Sequence, residues 1–127
     1  MLKGSLSMSE ITPENVQEKL NLFQQMQQQI QSLSQQVSQI DMSIGETERT
    51  LEEIKDVSKK NTLYRAIGSV MKKVEDPEKL KIDLAEEKER MEIRNNSLKS
   101  QIQKMNEELE EMQLKLAPIL QNIQETK

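Results

Sequence analysis

Apolar residues recur at alternating steps of three and four along most of the chain. That 3.5-residue spacing permits little except helices that pair along a narrow seam. In the first half, Val16, Phe23, Ile30, Val37, Ile44 and Leu51 share heptad position a, and Met26, Leu33, Ile40 and Ile54 share d. Lys19 and Thr47 are the polar exceptions at d. In the second half, Leu84, Met91, Leu98, Met105, Met112 and Ile119 take a, while Ile102, Leu109, Leu116 and Ile123 take d. Lys81, Lys88 and Asn95 also fall at d, which makes that stretch the weaker seam. A Gln-rich run over residues 24–39 keeps the apolar period and reads as solvated helix rather than an aggregation-prone tract. Gly45 weakens its helix by up to ~1 kcal/mol.

The period breaks once, at residues 61–77, NTLYRAIGSVMKKVEDP. Leu63, Tyr64 and Ile67 on one side, and Val70, Met71 and Val74 on the other, flank a Gly-Ser pair. Ile67-Gly68-Ser69-Val70 puts Gly at the first central position of a two-residue loop, as a type II′ hairpin turn requires. A lone hairpin in water is marginal, and its open edges invite pairing with other chains. Nothing else reads as a strand, so the pairing partners must come from other subunits. The alternative at this point is an irregular loop joining two helices.

Proline and capping residues set the boundaries. Thr12-Pro13-Glu14 and Asp76-Pro77-Glu78 each offer an N-cap, a proline at the first helical position and an acid suited to the helix dipole. The expected order is a disordered tail over 1–11, with Met8 an alternative start, and then one domain over 12–127. That domain holds a helix over 12–57, a hairpin over 62–75 and a helix over 76–124. Helices of about 45 residues, ~65–70 Å each, would fold back as a long antiparallel two-helix coiled coil with both termini together. Pro118 is expected to kink or stop the second helix, leaving Leu120 and Ile123 in a frayed tip.

Composition narrows the function. The 127 residues are 34% hydrophobic, 31% charged and 2% aromatic, which supplies little for a compact globular core. With no Cys, His or Trp, disulfides, thiol chemistry and the usual zinc sites lack their ligands. No enzyme, metal or cofactor is expected. Glu75 and Asp76 near the connection are too few for a Mg²⁺ site, and Asp76 is better used as a cap. A net charge of −4 disfavours nucleic acid as a main partner, and Lys59-Lys60 with Lys72-Lys73 reads as a solvated rim. No apolar run approaches a membrane span, and residues 1–9 do not resemble a signal peptide, so the expected location is cytoplasmic.

Near the termini, apolar residues outnumber what a two-helix seam can bury. Leu20 and Leu22 stand beside Val16, Phe23 and Met26, and Leu114 and Leu120 beside Met112, Leu116, Ile119 and Ile123. Two readings fit: an exposed binding surface in which Met adapts to varied partners, or a wider seam against another subunit.

At LYRAIGSVMKKV, residues 63–74, and in the order helix, hairpin, helix, the sequence resembles the β-class subunits of prefoldin. Tyr64, Arg65, Ile67, Gly68, Val70 and Met71 fill that family's pattern of an aromatic, a basic residue, then Gly among apolar positions. Met71-Lys72-Lys73 departs from the more continuous apolar strand expected there. The resemblance spans roughly residues 12–123, but only the hairpin motif is specific.

It implies a mainly α fold assembling through the hairpin into an oligomeric β-barrel platform, a hexamer of two α-class and four β-class subunits. It further implies an ATP-independent chaperone that holds unfolded client proteins at its coiled-coil tips and delivers them to a group II chaperonin of the cytosol. Carried to this sequence, the client-binding positions are Val16, Leu20, Phe23, Met26, Met112, Leu116, Ile119, Leu120 and Ile123. The assembly positions are Leu63, Tyr64, Ile67, Gly68, Val70 and Val74. The rival reading is a structural or tethering coiled coil with fixed helical partners.

Overall fold

Two helices carry the heptads and a hairpin fills the break. In order, the elements are α1 (Val16–Ile54), β1 (Tyr64–Ile67), β2 (Val70–Lys73) and α2 (Pro77–Glu125). The computed structural model describes residues 11–125, with side chains through residue 122. The chain divides into two compact units, Met1–Gln36 with Leu98–Lys127, and Val37–Ser97. In each, a stretch of α1 packs against a stretch of α2.

The seam follows the heptad closely. Every a and d position assigned between Val16 and Ile119, polar ones included, is buried or half-buried, whereas most other helical positions are exposed. The narrow stripe is why each helix can satisfy itself against a single partner.

The helix ends differ from expectation at the first terminus. Thr12 does not cap α1. Its backbone N–H donates to Asn15 Oδ1 at 2.8 Å, and the Asn15 N–H donates to the Thr12 carbonyl at 3.1 Å. The reciprocal pair closes a turn over residues 12–15 that contains Pro13, so the helix opens at Val16, with the Lys19 N–H on the Asn15 carbonyl at 3.0 Å as its first rung. Ile11, expected in the tail, is partly buried against apolar residues of its unit. The rest of that tail, residues 1–10, lies outside the described residues.

The same device recurs after α1, which ends at Ile54 rather than 57. The Ser58 N–H donates to Asn61 Oδ1 at 3.0 Å, and the Asn61 N–H donates to the Ser58 carbonyl at 2.9 Å. A side-chain acceptor three residues ahead makes a local turn competitive with further helix.

The second helix starts as read. The Asp76 carboxylate accepts the Lys79 N–H at 3.2 Å, the Leu80 N–H donates to the Asp76 carbonyl at 3.1 Å, and Pro77 is fully buried at the first helical position. Asp76→Ala is expected to cost about 1 kcal/mol of α2 stability, read as a lower urea midpoint with an unchanged slope.

Pro118 does not stop α2, which continues to Glu125. The proline forfeits one backbone bond, to the carbonyl of residue 114. Beyond it, Leu120 packs against the apolar cluster of its unit, and that packing carries the helix onward.

Candidate functional site

Each unit leaves apolar surface exposed, singly at Met42, Ile82 and Ile93 on the helices and contiguously at one feature. In Val37–Ser97 it is the hairpin. Its strands pair antiparallel as Tyr64 with Lys73, Arg65 with Lys72, Ala66 with Met71 and Ile67 with Val70. The Val74 N–H extends the ladder to the Leu63 carbonyl at 2.8 Å. Gly68, at φ 58°, is the one positive φ among the described residues. Ser69 keeps a negative φ, as the type II′ turn requires. A Cβ at Gly68 would meet nothing within 4 Å, so backbone conformation and not space selects glycine there.

All eight strand residues are exposed, including Tyr64, Ile67, Val70 and Met71. Alternation puts Tyr64, Ala66, Met71 and Lys73 on one face and Arg65, Ile67, Val70 and Lys72 on the other. Both faces are therefore apolar toward the turn and basic toward the helices. Lys72 and Lys73 belong to the strand despite breaking its apolar run. Arg65 stands directly opposite Lys72, an arrangement that destabilises an isolated pair. Of the assembly positions read from sequence, Tyr64, Ile67, Gly68 and Val70 are exposed, while Leu63 and Val74 at the base are half-buried. An open groove beside the hairpin joins Arg65, Ile67 and Lys72 to the capping Asp76 and to Lys79 and Asp83 of α2.

In the unit formed by Met1–Gln36 and Leu98–Lys127, the core is Met26, Met112 and Leu116, which are 7%, 1% and 4% exposed. Around it Val16, Leu20, Leu22, Phe23 and Leu120 are partly buried. Of the nine client-binding positions read from sequence, Val16, Leu20, Phe23, Ile119 and Leu120 keep accessible surface. Met26, Met112 and Leu116 face the helix partner instead, because the heptad seam claims them, and a ligand would meet them only if the helices parted. The Ile123 side chain lies outside the described residues. Leu114, absent from that set of nine, is 71% exposed. The heptad carried the signal, since a residue two steps beyond one seam position and two short of the next points away from the seam.

Among the described residues no His, Cys, Asp or Glu cluster is placed to hold a metal ion, and no helix is long and apolar enough to cross a membrane.

The hairpin between paired helices also decides the relationship to known proteins. The profile of the family described as Prefoldin subunit matches residues 17–123. The chain belongs to the prefoldin family. It is 35% identical over 113 residues to prefoldin subunit beta of Archaeoglobus fulgidus, covering 89% of this chain and 96% of that one. It is 36% identical over 98 residues to the Thermoplasma volcanium prefoldin subunit beta, covering 77% and 79%. Its fold is similar to the crystal structure of the prefoldin beta subunit from Thermococcus strain KS-1, with a TM-score of 0.73, 29% identity and coverage of 88% and 96%. Prefoldin is a chaperone family rather than an enzyme family, and the two helices with an intervening antiparallel hairpin are its β-subunit fold.

Proposed function

We propose that the chain is a β-class subunit of an ATP-independent holdase. Its hairpin joins those of an α-class subunit and further β-class copies in a β-barrel platform. The apolar surface around Met26, Met112 and Leu116 holds unfolded polypeptides, which then pass to a cytosolic group II chaperonin. The observation that carries the assembly half is the exposure of every residue of a two-stranded sheet with like charges opposed, a structure with too little to hold it alone. Strand addition from neighbours would satisfy both open edges, and acidic groups on those neighbours would neutralise Arg65 and Lys72.

For the holding half, Leu20, Leu114 and Leu120 offer apolar area that the helix pair leaves accessible. Unfolded chains are recognised through such area with little demand on sequence. Replacing all three by Ser is expected to leave assembly with an α-class subunit unchanged in mass. The same replacement is expected to remove most of the protection of a denatured client against aggregation, followed by light scattering. Protection equal to the parent's would place the holding surface elsewhere. A chain that stays monomer or dimer beside an α-class subunit would favour a tethering coiled coil with fixed helical partners.

A further inference from the structure

In the unit Val37–Ser97, three consecutive d positions of α2 are polar and each reaches a polar group near the end of α1 or on it. Lys81 Nζ donates to the carbonyls of Lys55 and Val57 at 2.9 and 2.6 Å and pairs with Glu78 at 3.3 Å. Lys88 pairs with Glu48 at 3.4 Å. Asn95, 2% exposed, donates through Nδ2 to Asp41 Oδ1 at 2.6 Å, and its own Oδ1 is buried without a hydrogen-bond partner. Each step of seven forward on α2, from 81 to 88 to 95, is a step of seven back on α1, from 55 to 48 to 41.

We propose that Lys81, Lys88 and Asn95 form a register lock, which fixes how far α2 slides along α1 and thereby where the hairpin emerges. A plain heptad seam does not do this. Sliding one helix by seven residues again puts a and d against a and d, with Ile, Leu, Val and Met largely interchangeable among them. Nor does regular structure in the connection fix it: residues 55–63 lie outside helix and strand and are held by local turns, the Val57 N–H donating to the Ile54 carbonyl and the Asn61 N–H to the Ser58 carbonyl.

The polar ladder does discriminate. A slide of one heptad in one direction opposes Lys88 to Lys55 and brings Asn95 to Glu48. The other direction sets Lys81 near Glu48 and Lys88 near Asp41, but it takes the buried Asn95 off Asp41 and removes the cation from the carbonyls of residues 55 and 57. No basic residue in the last turn of α1 could replace it there, and that helix end is where the dipole favours positive charge. The unpartnered Asn95 oxygen is the mark of a contact kept for specificity, since an apolar residue at d would avoid it.

The chain has no cysteine, so two introduced thiols can be spin-labelled alone. Gln39→Cys and Glu86→Cys, both exposed and off the ladder, report sliding, because one heptad shifts the helices by about 10 Å. Pulsed dipolar spectroscopy of the full-length labelled parent is expected to give one narrow distance. With Lys81→Leu, Lys88→Leu and Asn95→Leu combined, helix content by circular dichroism should hold and a second, displaced distance should appear. A single distance identical to the parent's would overturn the proposal. Lys88→Glu alone should broaden the distribution, and adding Glu48→Lys should restore it. If Lys88→Glu changes nothing, or if the exchanged pair fails to recover the single distance, the lock is likewise refuted. That comparison decides the matter should the leucine variant not keep its helices.

Discussion

Ile67→Asp is expected to abolish the large species formed with an α-class prefoldin subunit while leaving the unfolding of the isolated chain within about 0.5 kcal/mol of the parent. The two readouts separate because Ile67 is 54% exposed in the chain alone, so a carboxylate there stays hydrated and loses little. Pairing with a neighbour removes that water. Ile67 sits beside the turn on the face it shares with Arg65, Val70 and Lys72, next to Val70 across the ladder. In the proposed platform a carboxylate that loses its water beside Val70 is strongly unfavourable, and the loss would recur at each chain joined through its hairpin. Multi-angle light scattering of the mixture measures the outcome. An Ile67→Asp chain that still forms the parent's assembly would show that the hairpin is not its joint.

Met112→Ala is expected to have the opposite pattern, destabilising the isolated chain by about 2–5 kcal/mol. Met112 is the most completely buried side chain of its unit and lies among Met26, Leu116 and their apolar neighbours, so truncation removes both its transfer energy and the packing of the residues around it. Urea unfolding followed by circular dichroism checks the size of the effect. Leu114→Ala, two residues away, should move the midpoint hardly at all, because that side chain is already mostly in water. Equal effects at 112 and 114 would contradict the seam.

Much of this was legible in the residues. The heptad named the seam positions because burial against one partner imposes a period that survives polar exceptions such as Lys19, Thr47 and Asn95. Gly68 announced its turn because the required backbone conformation excludes most other residues. What escaped was anything that depends on two distant segments. Lys81, Lys88 and Asn95 read as a weakness of the second helix, since their partners lie 54 to 24 positions earlier in the chain and the register between the helices is not written in either one. Pro118 read as a kink or a stop because the rule is local, whereas the packing of Leu120 that carries the helix past it is not. The count of apolar residues near the termini was right about a surplus, yet it could not say that Met26, Met112 and Leu116 would be the ones covered.

The scarcity of aromatic rings has an optical consequence. The chain carries one tyrosine, one phenylalanine and no tryptophan. Tyr64 stands half in water on the first strand, while Phe23 belongs to the apolar cluster of the other unit. The near-ultraviolet emission of this chain is therefore the signal of one hairpin side chain. An unlabelled solution can report through tyrosine intensity and anisotropy when that strand acquires neighbours, and it stays silent to events at the helix seam.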